Sequence, residues 1–395
     1  MIRKYYSIFA NSIAEIMILR EISHIIDKRL ADNKVLILSG ARQVGKSTLI
    51  REMSKKFTEP VLWLNGDDAD IRTRLKDPNS GYLKTFLGNT KTLVIDEAQR
   101  IENIGITLKI IADTLPEIKV VVTGSSSFEL ANKINEPLTG RKWEFNLYPF
   151  SFGEMVNHTN LLAESRLLKH RLVFGYYPEV VLHPGEEAVR LKELANSYLY
   201  KDILTWERIQ KPEKMEKLVQ AIAFQVGSEV SFYELGQTTG LDNQTVEKYI
   251  SLLEKAFILF RLPSLSRNLR NELKKSRKIY FYDNGLRNAV INQFNPLDLR
   301  ADTGALWENF LMSERIKQLA YQHISCNRYF WRTTAQQEID YIEERNGLMT
   351  AYEFKWNRNA GYRVSKTFLQ AYPQAKTDVI NPENAAAWLL EKFEK

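Results

Sequence analysis

Up to about residue 150, short apolar runs alternate with longer stretches in which apolar residues recur every three or four positions. The runs "VLIL" (from Val35), "VLWLNGDD" (Val61 to Asp68), "TLVID" (Thr92 to Asp96) and "IKVVVTGSSS" (Ile118 to Ser127) are too short for helices and too continuously apolar for strands with one wet face. They predict strands of a parallel sheet buried on both sides, with a fifth strand after Arg141. Beyond residue 155 the period becomes helical, through "NLLAESRLLKHRLVFGYYPEVVL" and "EEAVRLKELANSYLYKDILTWERI", with a break and restart at "HPGEE".

Residues 213–265 carry a different rhythm. A helix "EKMEKLVQAIAFQVG" precedes a shorter one capped by Ser231 and closed by Gly240, and a third places Val246, Tyr249, Ile250 and Leu253 on one face. This is helix-turn-helix order, and "FILFRLP" and "KIYFYD" then read as the two strands of a wing. The last hundred residues predict a helix over 300–320 with Leu306, Phe310 and Leu311 apolar, followed by strands at 328–333, 338–344 and 348–356. Asn346-Gly347 joins the last two strands as a hairpin. A helix near 364–372, a short strand "TDVI" and a closing helix complete the core order of a PD-(D/E)XK nuclease-like fold.

The expected organisation is therefore α/β. Residues 1–17 form an N-terminal extension, with Met17 an alternative start, and 18–155 a domain built on the parallel sheet. A helical lid or linker (156–210), a winged helix (211–290) and the nuclease-like domain (291–395) follow.

Two segments carry the chemistry of a nucleotide site. Gly40-Ala41-Arg42-Gln43-Val44-Gly45-Lys46-Ser47 has the spacing G-x-x-x-x-G-K-S between a strand and a helix that continues through Thr48. Glycines let such a loop turn its N–H groups inward, and the helix N-terminus adds its positive end, so the turn attracts phosphate. Lys46 is expected to reach the β- and γ-phosphates and Ser47 to ligate Mg²⁺. The strand ending at Asp96 supplies an acid that holds Mg²⁺ through water, and Glu97 after it is placed to polarise the attacking water. Thr123 or Ser125, ending the next strand, is the expected sensor of the γ-phosphate, and Arg141 the candidate arginine finger.

The ordered run GARQVGKST, LVIDEAQR, VVVTGSSS, LTGR, LYPFSFGE and GYYPE resembles a family of AAA+-type bacterial and archaeal ATPases that carry a C-terminal domain of unknown function. The resemblance covers the chain from about residue 18. It implies that 18–155 is a P-loop NTPase domain of AAA+ type that binds ATP, with Gly45, Lys46, Ser47, Asp96 and Glu97 at matching positions.

The C-terminal strands suggest a second site. Asp340 on one strand and Glu353-x-Lys355 on the next, with Glu308 on the preceding helix, are the acids and lysine of a metal-dependent nuclease. If side chains alternate strictly, Asp340 shares a face with Glu338, and Glu353 with Lys355, opposite Tyr352, Phe354 and Trp356.

Composition adds little until charge is placed. One cysteine, Cys326, excludes intrachain disulfides and cysteine-rich zinc sites and fits a reducing cytoplasm. No apolar run reaches the ~20 residues of a membrane span, so no membrane partner is expected. The net charge of +7 gains meaning from Arg261, Arg267, Arg270, Lys274, Lys275, Arg277 and Lys278, a basic stretch beside the third helix that predicts contact with DNA. The leading expectation is an ATPase, able to oligomerise, whose C-terminal half engages nucleic acid. The alternative is a regulatory ATPase switch whose last two domains are non-catalytic modules that contact a protein partner.

Overall fold

The computed structural model describes residues 17–58, 60–124, 138–197, 212–265, 277–333, 335–357 and 364–393. Ser125, Arg267, Arg270, Lys274, Lys275 and residues 1–16 lie outside them.

Helix α1 (Ser23–Arg29) leads into a five-stranded sheet: β1 (Val35–Gly40), β2 (Val61–Asn65), β3 (Thr92–Asp96), β4 (Lys119–Gly124) and β5 (Lys142–Leu147). The strands are all parallel in the order β2-β3-β4-β1-β5, so β4 separates the loop strand β1 from the acid-bearing strand β3. Their crossovers hold α2 (Lys46–Ser54), α3 (Ala69–Leu75), α4 (Ser80–Leu87) and α5 (Ile104–Thr114). Alternation divides the strands between two cores. Leu36, Leu38, Val94, Val121, Phe145 and Leu147 face one, while Val35, Ile37, Leu93, Ile95, Val120 and Val122 face the other.

A capping box starts the next helix, α6 (Phe152–His158): Ser151 accepts from the Glu154 N–H and Glu154 accepts from the Ser151 N–H. Four short helices follow, α7 (Leu161–Arg166), α8 (Leu168–Phe174), α9 (Pro178–Val181) and α10 (Glu187–Ala195). Then come α11 (Pro212–Phe224), α12 (Phe232–Thr239) and α13 (Asn243–Lys255), with a small antiparallel sheet in the order β6-β8-β7, built from β6 (Glu229–Val230), β7 (Leu259–Pro263) and β8 (Arg277–Phe281). Ser231 caps α12 and Gly240, at φ +66°, ends it.

Helix α14 (Asn284–Val290) leads to the long α15 (Thr303–Tyr321) and a second four-stranded sheet. Strands β9 (Asn327–Arg332), β10 (Glu338–Arg345) and β11 (Leu348–Phe354) are antiparallel. After α16 (Lys366–Ala371), β12 (Lys376–Ile380) joins parallel to β11, and α17 (Ala385–Leu389) closes the chain. Asn346 and Gly347 both take positive φ, 51° and 76°, as a two-residue hairpin requires.

Two features depart from the sequence expectation. Strand β10 carries an extra residue between Ile339 and Ile342 relative to β9, so alternation is not strict around Asp340. Helix α15 is buried on almost every side, including Asn309, Glu314, Arg315, Lys317 and Gln318. One apolar core runs from the nucleotide sheet through the middle helices to Tyr352, Phe354 and Trp388, and α15 lies within it. Its charges survive because each is partnered: Arg315 makes a bidentate pair with Glu343 at 2.6 and 3.0 Å and lies 4.4 Å over the Trp388 ring. Among the described residues no helix is long and apolar enough to cross a membrane.

Removing one partner of such a pair strands the other in the core. Glu343→Ala is expected to lower stability by about 3–5 kcal/mol, measured by urea unfolding.

Candidate nucleotide site

The loop leaves β1 at its C-terminal end, and two glycines make its path possible. A Cβ on Gly40 would fall 2.2 Å from the Leu147 carbonyl oxygen of β5, and Gly45 sits at φ +91° as the N-cap of α2. Lys46 is buried, and its ammonium donates to the carbonyls of Gly40 (3.0 Å) and Ala41 (2.8 Å). Arg42, Gln43 and Thr48 are exposed around the loop, whereas Ala41 and Val44 are packed beneath it.

Facing the start of α2, the Ser47 hydroxyl donates to Asp96 at 2.7 Å. Thr123 donates to the other Asp96 oxygen, and the Glu97 N–H reaches both that oxygen (3.2 Å) and the Thr123 hydroxyl (3.3 Å). Glu97 takes a left-handed backbone, φ 51°, and its carboxylate accepts from the Gln99 side chain. Ser47, Asp96, Glu97 and Thr123 thus come together at the mouth of the loop. A hydroxyl and a carboxylate in contact are hard oxygen donors of the kind Mg²⁺ uses beside phosphates.

Arg141 is not brought to this cluster. It immediately precedes β5, its carbonyl bonds Val35 at the start of β1, and its guanidinium pairs with Asp113 at 2.6 Å. That is the opposite, N-terminal end of the strands, about 17 Å away at ~3.3 Å per strand residue.

A cavity of about 250 Å³ opens beside the loop, lined by Met17 to Arg20, Val44, Gly45, Thr48, Leu49, Phe150 and Leu182 among others. Met17, Leu19 and Leu182 are among the exposed large apolar side chains, so the rim is an open apolar seat next to a phosphate-binding turn. Sequence reasoning missed it because its walls come from four separate segments. The one signal was the apolar stretch of the chain before α1.

The C-terminal acids do converge, but on a lysine. The buried Lys278 ammonium, from β8, lies 2.5 Å from Glu338, 2.9 Å from Glu308 and 3.9 Å from Asp340. Glu308 also accepts from the Tyr280 hydroxyl at 2.6 Å, Asp340 accepts from the Phe354 N–H at 2.9 Å, and Glu353 pairs with Lys355 at 2.9 Å. Burial raises the Glu308 carboxyl to about 7, with Lys278 opposing and Asp340 adding to the rise. Among the described residues no group of three or more His, Cys, Asp or Glu is disposed to hold a metal ion. Of the expected metal set, Glu308 and Asp340 thus lie about the Lys278 ammonium, while Glu353 pairs with Lys355.

Part of the basic stretch is paired within the chain. Arg261 pairs with Glu254, Arg277 with Glu247 at 3.5 Å while lying over the Phe232 ring, and Lys278 with the buried acids. Three of its seven cations are therefore neutralised internally, and the other four lie outside the described residues.

Comparison with known proteins agrees with the geometry of the first sheet. Residues 32–156 match the model of an AAA domain. Residues 32–156 form an AAA-type ATPase domain. Behind it, residues 165–297 match one domain of unknown function (DUF8612) and residues 303–393 another (DUF4143). An uncharacterized protein of Mycobacterium tuberculosis is 26% identical over 325 residues, spanning 81% of this chain and 70% of its own. One from Haemophilus influenzae is 26% identical over 290 residues, spanning 66% of this chain and 70% of its own. Among solved structures, the RuvB Holliday junction branch migration motor of Thermotoga maritima is 16% identical, covering 64% of this chain and 92% of that one at a TM-score of 0.30. The Pif1 helicase of Candida albicans is 14% identical, covering 46% and 47% at 0.27.

Burial lowers the Lys46 ammonium of the AAA domain from its usual 10.5 to about 8, against the pull of Glu97 and Asp96. A phosphate in the loop favours the charged form, so its pKa rises on binding and a proton is taken up. Affinity for a phosphate ligand is expected to fall above about pH 8, by up to about tenfold per pH unit. Calorimetry at pH 8.5 in buffers of different ionisation enthalpy should read net proton uptake, abolished in Lys46→Met.

Proposed function

We propose that this chain binds and hydrolyses ATP at the loop between β1 and α2, and that its middle and C-terminal units are non-catalytic modules responding to the nucleotide. The observation that carries the reading is the contact cluster Ser47–Asp96–Thr123–Glu97 beside the buried Lys46. The backbone of Gly40 to Thr48 wraps the phosphates, and Lys46 leaves the Gly40 and Ala41 carbonyls to reach the β- and γ-phosphates. Ser47 and Asp96 hold Mg²⁺, which would neutralise charge building on the phosphates. Glu97 orients and polarises the attacking water, and Thr123 reads the γ-phosphate while fixing Asp96. The base occupies the apolar cavity between Met17, Leu49 and Leu182. Arg141 faces away from the site of its own chain, so a finger role for it requires a second copy.

For the modules, α11 to α13 with β6 to β8 support a winged-helix reading, and α15, three antiparallel strands, α16 and a parallel strand support a nuclease-like fold. Lys278 favours a regulatory role over cleavage: its ammonium already satisfies Glu308 and Glu338, and a second cation among them would meet direct repulsion. DNA remains the alternative partner, supported by the helix-turn-helix order and the cations outside the described residues.

Glu97→Gln is expected to keep ATP binding and lower phosphate release at least about a hundredfold, the scale of a lost general base. Equal turnover in the variant would remove Glu97 from the mechanism. Duplex DNA should not accelerate wild-type turnover, and acceleration would favour a nucleic-acid motor. Plasmid incubated with Mg²⁺ or Mn²⁺ and ATP should stay intact with wild type. Cutting that disappears in Asp340→Ala would restore the nuclease reading.

A further inference from the structure

The cavity beside the phosphate loop shares one wall with the C-terminal helix, and that wall is Arg20. The side chain is buried, and all three guanidinium nitrogens are engaged. Nε donates to Glu154 at 2.9 Å, Nη1 to the Val44 carbonyl of the loop at 2.7 Å, and Nη2 to the Tyr148 carbonyl at 2.6 Å and the Tyr321 hydroxyl at 3.1 Å. Its flat face lies 4.8 Å from the centre of the Phe150 ring. No other side chain type can address four partners in one plane in this way, because lysine has a single donor head and no fork.

These partners belong to three parts of the molecule. Val44 is in the loop itself. Tyr148 and Phe150 follow β5, and Glu154 lies in the first turn of α6. Tyr321 is the last residue of α15, 301 positions from Arg20 in sequence. The Tyr321 oxygen accepts a second bond from the Tyr148 N–H at 3.2 Å, so one hydroxyl closes the connection from loop to helix.

We infer that Arg20 is a positioning residue that couples nucleotide occupancy of the loop to the seating of α15, through Val44 on one side and Tyr321 on the other. The inference rests on the ATP reading above. Lys46 must leave two loop carbonyls when phosphate enters, and the loop then resettles around Val44, whose carbonyl is fixed to Arg20. Arg20 also lines the cavity in which the base is placed. By linkage, the factor by which nucleotide shifts the seating of α15 is the factor by which that seating shifts nucleotide affinity.

The helix has independent anchors, which makes the coupling separable from folding. Lys317 donates to the Phe150 carbonyl at 3.0 Å, and Glu314 accepts from the Phe152 N–H at 2.6 Å. Loss of the Tyr321 hydroxyl therefore leaves α15 docked.

The test is calorimetric titration of a non-hydrolysable ATP analogue with Mg²⁺ into the full chain carrying Y321F, R20K or both. Y321F, with no reach to the nucleotide, is expected to change Kd at least about fivefold, the lower end of measured couplings. The double variant should bind like R20K alone, since the path is already cut. Hydrogen exchange adds a readout that a merely structural role would not move: the analogue should alter protection at the C-terminal turn of α15 in wild type and not in R20K. If R20K does not fold, the Y321F titration, with exchange compared between wild type and Y321F, decides alone. A Kd for Y321F within twofold of wild type, or additive effects in the double variant, overturns the coupling while leaving the ATP reading standing. Absence of binding by wild type overturns both.

Discussion

A phosphate loop turns its N–H groups inward, and that forces its carbonyls outward, where each must find a donor or be left buried and unmet. In this chain two cations meet three of them. Lys46 takes the carbonyls of Gly40 and Ala41, and Arg20 takes that of Val44. Lys46 belongs to the loop itself. Arg20 lies upstream of α1 and is held by Glu154, Tyr148 and Tyr321, so the outer face of the loop is tied to the rest of the molecule.

The same arrangement explains why α15 carries charge where an ordinary core helix would be apolar. It runs through the shared core, and its polar side chains are the fasteners between units. Glu314 and Lys317 reach the segment after β5, Arg315 reaches β10, and Asn309 exchanges two hydrogen bonds with the Phe281 backbone on β8. Lys278 does likewise from the other direction, seating β8 against Glu308 and Glu338. Buried pairs of this kind add little net stability, but they penalise every misaligned docking in which a charge would go unpaired.

The elements were legible wherever local physics decides them. Continuous apolar runs gave the parallel strands, Ser231 and Gly240 bounded α12, and Asn346-Gly347 made the hairpin. The phosphate loop was legible because its chemistry is local: glycines, a lysine and a hydroxyl within eight positions. What could not be read depends on residues far apart. Arg20 looks like the polar side of an amphipathic stretch until Tyr321 arrives beside it. Lys278 looks like one more cation of a basic loop, and only the folded chain shows it buried among acids. The extra residue in β10 had no sequence signal either, so strict alternation misjudged the surroundings of Asp340.

An ATP site at the loop makes Lys46 indispensable. Isothermal titration of Mg²⁺–ATP into wild type and Lys46→Ala measures that directly. One saturable site per chain in wild type, lost in the variant while its circular dichroism is unchanged, is the predicted result. No binding in wild type, or equal affinity in both proteins, would contradict it.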